Sequence, residues 1–486
     1  MAPTATTSAG VLAGVTTEDG ASFRGVHYAT AARFAAPSPV EPWDGVVPAD
    51  RVGPAAPQRI TTDPLIPDMG VAEIGEDCLR AQIWTPSTEG ARPVLVWIPG
   101  GRYQIGGAGL ATYDGGRLSA EGDLVVIGLN YRLGALGFLA TDGVPSNLGL
   151  RDLIAALEWI RAEVAAFGGD PANITLIGES AGAGAITHLL ASPAAQGLFD
   201  AAIVASAAPG ATLDAAAARS VAAEFLSAAG VDDAAALAAV DLDDLLAAQA
   251  TADAAVLATV GMMPFHPWID GDLLTEGPLD AALAPVPLVI GTTADEMALF
   301  RDQVPDLPEE FAIGWLTAKC AAFSDDPAAA AAAGFAACDG ALVDAIADTD
   351  LHVPAGLLAD SHAARGLPVW RYLFGWEAPR IGAAHATDLP FHFGTLDVAD
   401  WRSVLGADGD RSSAADTLSA AMRAAWAAFC HTGVPACAPI GAWPRHDPVA
   451  RTATLLASPV VTAADVGGPH FRAWTLASST PPKPRN

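Results

Sequence analysis

The chain is poor in cysteine, in basic residues and in long hydrophobic runs, and each shortage excludes something. Among 486 residues there are five cysteines, at 78, 320, 338, 430 and 437, an odd number with no metal-site spacing. They read as free, mostly buried thiols in a reducing compartment rather than as a disulfide framework. Lysine and arginine total 25 against 55 aspartates and glutamates, a formal net charge of −30. A surface this acidic repels nucleic acid and anionic membranes, so neither is an expected partner. The acidic residues are spread through the chain instead of forming a tail, which makes them a solvation device. No apolar run reaches the roughly 18 residues of a membrane span. Met1 to Thr17 has neither a basic segment nor a continuous apolar core, so no secretory signal is expected and a cytoplasmic location is the default. We see no internal repeat and no linker that would separate independent domains, so residues 1–486 are expected to be one domain.

What is present is a hydrophobic half, 51% of all residues, arranged in alternating short runs and helical stripes. Gly14 to Gln58 is glycine- and proline-rich with apolar pieces at Val11 to Val15 and Phe23 to Tyr28, and reads as a β-meander edge. Asp77 to Trp84, Pro93 to Ile98, Leu124 to Leu129, Ile174 to Ile177, Pro287 to Ile290 and Val369 to Phe374 read as strands, several apolar on both sides. Such strands belong inside a sheet covered on both faces. Between them Gly149 to Phe167 carries leucines and isoleucines at helical spacing, ended by a Gly168-Gly169-Asp170-Pro171 turn. Asp416 to His431 reads as a further long helix. Alternation of this kind predicts an α/β fold with a large, mostly parallel central sheet. The Ala/Leu/Asp-rich stretch from Asp214 to Asp253 and the alanine tract Ala328 to Gly334 read as helical insertions near the mouth of a site.

The chain is organised around Asn173 to Gly184. An apolar strand runs into Gly178-Glu179-Ser180-Ala181-Gly182, and a small-residue helix follows from Ala181 to Leu190. Strand, tight turn and helix are what a G-x-S-x-G nucleophile elbow requires. A serine hydroxyl needs a base and an orienting carboxylate, which in this order of elements come later in the chain. Seven histidines follow the first candidate acid. His385 stands out, in a small-residue loop beyond the strand Val369 to Phe374, whereas His392 between Phe391 and Phe393 reads as packing. His385, Asp388 and His392 also form a metal-ligand pattern, but Pro390 breaks the helical spacing it needs. For the acid, Asp295 and Glu296 lie together past a strand end, and the residues alone do not choose between them. Acyl transfer further needs preset N–H donors for an oxyanion. The amide of Ala181 is one candidate, and the loop Pro99-Gly100-Gly101-Arg102-Tyr103 offers others.

Together these segments resemble the type-B carboxylesterases, the cholinesterase-like branch of the α/β-hydrolases, and particularly bacterial para-nitrobenzyl-esterase-like members. The resemblance runs from Phe23 to Ala29 through Glu76 to Leu79, Asn130 to Gly134, Asn147 to Asp152, Phe167 to Asn173 and the elbow to Gly291–Glu296 and His385–Leu396. It implies the α/β-hydrolase fold and hydrolysis of carboxylic esters by a serine nucleophile, with no metal or organic cofactor and a small-molecule ester as partner. By the same resemblance Ser180 matches the nucleophile, His385 the base and Glu296 the acid, while Gly101, Arg102 and Ala181 fall at oxyanion positions. Cys78 matches a cysteine that secreted relatives pair with an upstream partner, and no cysteine precedes it here. The family loop usually reads His/Tyr-Gly-Gly-Gly-Phe, so Arg102 is a departure, and Ala386 replaces the usual glycine after the histidine. Two other readings keep the fold but change the function: the same triad acting mainly on carbamates or anilides, and a non-catalytic binding protein. The second is disfavoured because Ser180, His385 and Glu296 are all present.

Overall fold

The computed structural model describes residues 2–59, 67, 70–257, 259–304 and 307–475. Its largest element is an 11-stranded sheet. In chain order the strands are β1 (Val15–Thr17), β2 (Gly20–His27), β3 (Arg80–Thr85), β4 (Arg92–Ile98), β5 (Val125–Leu129), β6 (Gly169–Glu179), β7 (Ala201–Ala205), β8 (Leu288–Thr293), β9 (Val369–Phe374), β10 (Ala453–Leu456) and β11 (Val461–Ala463). Across the sheet they run β11-β10-β9-β8-β7-β6-β4-β5-β3-β2-β1. The pairings from β10 to β5 are parallel, while β1, β2, β3 and β11 join antiparallel at the margins.

Both faces of this sheet are buried, as the all-apolar strands require. Val94, Val96 and Ile98 point into one core cluster and Leu95 and Trp97 into the other, so a single strand feeds two cores through its period of two. On the first face the helix Leu148–Glu163 seats Leu150, Leu153, Leu157 and Ile160. On the second the helix Ser412–Thr432 seats Leu418, Met422, Trp426 and Phe429.

The helix expected over Gly149 to Phe167 is α-helical only to Glu163 and tightens into a 3₁₀ turn over Val164–Phe167. The expected turn after it is present as a bulge within β6. Gly169 pairs with Arg92 and Ile174 with Val94, and between them the Ala172 amide donates to Asp170 at 2.9 Å. The meander edge expected near the N-terminus is divided. Val15–Thr17 and Gly20–His27 form the margin of the large sheet, but Val11–Ala13 pairs with Thr4–Thr6 and Val46–Pro48 in a separate three-stranded sheet. The Ala/Leu/Asp-rich stretch folds into the helices Ala215–Ala229, Ala234–Leu237 and Leu242–Val256, and the alanine tract lies in Pro327–Ala337.

Candidate active site

Four loops leave the carboxyl ends of neighbouring parallel strands and converge, the place where open α/β sheets build their sites. The loop after β6 is a single residue long. Ser180 has φ 55° and ψ −125°, a conformation costing about 1–3 kcal/mol that a non-glycine residue holds only when its surroundings enforce it. They do so here through sheet and helix together: its amide donates to the Ala205 carbonyl at 2.9 Å and its carbonyl accepts from Gly184 at 2.8 Å. The glycines on either side are sterically required. A Cβ on Gly178 would lie 2.7 Å from the Gly182 carbonyl carbon, and one on Gly182 would lie 2.0 Å from the Ile98 carbonyl oxygen.

The structure brings Ser180, His385 and Glu296 into one line. His385 Nε2 lies 2.8 Å from Ser180 Oγ, and His385 Nδ1 lies 2.6 Å from Glu296 Oε2. The neighbouring carboxylates have different jobs. Asp295 holds the histidine loop: its amide donates to the Ala383 carbonyl at 2.9 Å and its Oδ2 accepts from the Ala383 amide at 3.1 Å. Glu296 points inward, fully buried, and its Oε1 accepts from the Thr293 amide at 2.8 Å. Burial alone would neutralise Glu296, but the His385 ring beside it outweighs that cost and holds the carboxyl below its ordinary range.

The loop after β4 is pinned from several sides. Gln58 donates to the Gly106 carbonyl at 2.8 Å and accepts from its amide at 2.7 Å, Tyr131 donates to the Pro99 carbonyl at 3.1 Å, and the Ala108 amide donates to Asn130 at 2.8 Å. Within it Gly101 has φ 115°, while Arg102 and Tyr103 both have φ 57°, so two consecutive side-chain-bearing residues are left-handed. The loop lies against the elbow: a Cβ on Gly100 would be 3.0 Å from Ser180 Cβ. Among the described residues, none accepts a hydrogen bond from the amides of Gly101, Arg102 or Ala181.

Several neighbours were not singled out from the sequence. Glu179 Oε1 is 3.2 Å from His385 Nε2, buried and otherwise unpartnered. Burial pushes the Glu179 carboxyl up, and its charge, followed by that of Glu296, pushes the His385 ring up against the opposing effect of burial. The only hint of this in the sequence is a glutamate at the end of an otherwise apolar strand. Beside Arg102, Gln104 donates to Asp253 at 3.1 Å, and burial pushes the Asp253 carboxyl up to about 6 while Arg102 pulls the other way. His392 does not join His385. It stacks on Trp426, accepts from the Trp426 indole at Nδ1 and faces Asp388 through Nε2. The motif residues Arg132 and Asp152 form a buried ion pair, with contacts of 2.6 and 2.7 Å, that braces the segment after β5. All five thiols are unpaired and buried.

An eleven-stranded α/β sheet with a serine at such an elbow defines the α/β-hydrolase fold, and what is known of similar chains defines the chemistry. Residues 1–459 match the profile described as "Carboxylesterase family". The chain is 35% identical to the para-nitrobenzyl esterase of Bacillus subtilis (strain 168), over 93% of this chain and 94% of that protein. It is also 35% identical to the phenmedipham hydrolase of Pseudarthrobacter oxydans, over 91% and 92% of the two chains. A solved PNB esterase structure superposes with a TM-score of 0.87 at 32% identity, covering 98% of this chain and 99% of that one. The chain belongs to the carboxylesterase family and is a serine hydrolase of carboxylic esters.

Proposed function

We propose that Ser180 is the nucleophile, His385 the general acid and base, and Glu296 the carboxylate that orients it. The 2.8 Å and 2.6 Å contacts through the two ring nitrogens of His385 carry this reading. With Nδ1–H donated to Glu296, Nε2 accepts the serine proton as Oγ forms a bond to the ester carbonyl carbon. The carbonyl oxygen becomes an oxyanion, received by the unused amides of Gly101, Arg102 and Ala181. Collapse breaks the bond to the alcohol oxygen, which leaves with the proton from Nε2. A water then gives its proton to Nε2 and its oxygen to the acyl carbon, and Ser180 recovers its proton as the acid departs. This sequence needs neither a metal nor an organic cofactor. Glu179, buried beside Nε2, favours the imidazolium that forms in both steps.

The substrate we infer is a small-molecule ester. A second reading, cleavage of carbamates or anilides by the same groups, is supported by similarity to the phenmedipham hydrolase. Strands from Val15 to Ala463 share one sheet, which supports treating 1–486 as one catalytic unit. A cytoplasmic location is supported by the five unpaired thiols. The test is covalent labelling with an aryl organophosphonate followed by peptide mass mapping. Adduct on the peptide containing Ser180, with Ser180→Ala unlabelled and reduced at least about a thousandfold in kcat on an aryl ester, is the expected result. Near wild-type turnover by Ser180→Ala ends the proposal.

A further inference from the structure

Away from the strand ends, three side chains of metal-binding type meet under the C-terminal helix Gly468–Thr475. Cys338 follows the helix Pro327–Ala337, Asp348 opens a π-helical turn over Asp348–His352, and His470 lies on the C-terminal helix itself. Cys338 Sγ is 3.3 Å from Asp348 Oδ2 and 3.8 Å from His470 Nδ1, and His470 Nδ1 is 2.8 Å from the same Asp348 oxygen. We propose that Cys338, Asp348 and His470 form a binding site for a zinc-like divalent cation.

The hydrogen bonding of Asp348 points this way. Its Oδ2 takes three donors, the Cys338 thiol, His470 and the Trp474 indole at 2.8 Å, although an oxygen offers only two lone pairs. The carboxylate is buried, and among the described residues no arginine or lysine pairs with it. A cation in the middle removes both faults. It supplies the missing positive charge and replaces the Cys338 and His470 donors, leaving the Trp474 N–H as the bond that orients the ligating carboxylate. Ligand atoms around tetrahedral zinc stand about 3.3–3.8 Å apart, close to two of the three separations, and the third needs to open by about half an ångström once its bridging hydrogen is gone. On binding, the Cys338 thiol loses its proton to solvent and His470 coordinates as neutral imidazole. The His470 side chain is 46% exposed, so cation entry and a water as fourth ligand are both possible from that side.

A thiolate, an imidazole and a single carboxylate suit zinc or cobalt and not magnesium or calcium, which require oxygen ligands throughout. The arrangement is equally unsuited to a second nucleophilic relay, because sulfur and carboxylate sit on the same ring nitrogen, leaving no opposite face for a base. The cation would tie three separate helical segments together. At the far end of the π-helical turn, His352 Nδ1 meets Thr292 Oγ1 at 2.9 Å, on the strand that leads to Glu296.

The test uses the full chain without a metal-binding tag, stripped with chelator, and titrated with Co²⁺ as a spectroscopic probe. The expected result is one Co²⁺ per chain with a thiolate-to-cobalt charge-transfer band, displaced by Zn²⁺, together with a higher Tm in Zn²⁺. Cys338→Ser abolishes the band while Cys320→Ser keeps it, and His470→Asn weakens Co²⁺ binding at least tenfold, the low end of ligand-environment effects at about 10–100-fold. Far-ultraviolet circular dichroism matching wild type shows that each variant folds, and His470→Asn decides the matter should Cys338→Ser not. Absence of the band in the wild-type chain, or its survival at full strength in both Cys338→Ser and His470→Asn, overturns the proposal. None of these readouts depends on ester turnover.

Discussion

Two regions of this molecule are built on opposite principles. At the strand ends several groups around Ser180 are fixed by hydrogen bonds to backbone: Asp295 clamps Ala383, Gln58 clamps Gly106, and the Ala205 carbonyl holds the Ser180 amide. In the helical insertions, small residues such as Ala312, Ala330 and Ala331 share the buried face with Leu316, Phe335 and Trp474, and large apolar residues such as Phe311, 63% exposed, and Trp315 face outward. The first region tolerates almost no movement because its groups are coupled through fixed peptide planes. The second contributes shape, and small side chains can pack at many angles for similar free energy.

Substitutions can probe that contrast, beginning with the adjacent carboxylates. Glu296→Gln should lower kcat by about three to four orders of magnitude, since it leaves His385 without its charged orienting partner. Asp295→Asn keeps an acceptor for the Ala383 amide, so His385 stays close to its place and the loss should stay well below the roughly hundredfold that a 1 Å misplacement costs. Equal losses from the two would mean that loop position, not the Glu296 charge, sets the rate. Next comes the pH profile. His385 acts as a base only when neutral, so kcat/KM rises with pH through its free-enzyme pKa. Glu179 pushes that value up, so Glu179→Gln should move the acid limb to lower pH, read from kcat/KM between about pH 5 and 9. An unmoved limb shows that the Glu179 charge is not felt at the ring.

Smaller effects belong to the border between the regions. Gln104 ties the strained loop to Asp253 on the insertion helix Leu242–Val256, and the Arg102 charge acts on the same carboxylate. Arg102→Gly should alter relative rates several-fold across a panel of neutral and acid-bearing esters, favouring the neutral ones, and an unchanged ranking dismisses a role in selectivity. Smallest of all, Phe311→Ser should change stability by no more than about 0.5 kcal/mol in a urea titration. A loss several times larger would show that this exposed face is packed against something in solution.

Much of the sheet was legible because its strands are continuous β-branched or apolar runs, and the elbow because G-x-S-x-G leaves only one way to turn. The strand Ala201–Ala205 escaped notice, since its alanines are as compatible with helix as with strand. The short strands Ala453–Leu456 and Val461–Ala463 carry too little pattern to register. Within the site, neighbouring residues such as Asp295 and Glu296 differ only in which way the chain turns, and that is settled by the pairing of Asp295 with Ala384. Glu179 was hidden in plain view. Its position inside the motif was obvious, but its nearness to His385 depends on a loop that begins some two hundred residues later.

The margins of the large sheet carry a last lesson, about self-association. Each outermost strand spans only three residues, Val15–Thr17 on one side and Val461–Ala463 on the other. Stubs of this length present little ladder for a second chain to extend, a common protection against ribbon-like aggregation. Where two copies meet through helical faces instead, the surplus of acidic over basic groups sets a repulsive toll that salt would relieve.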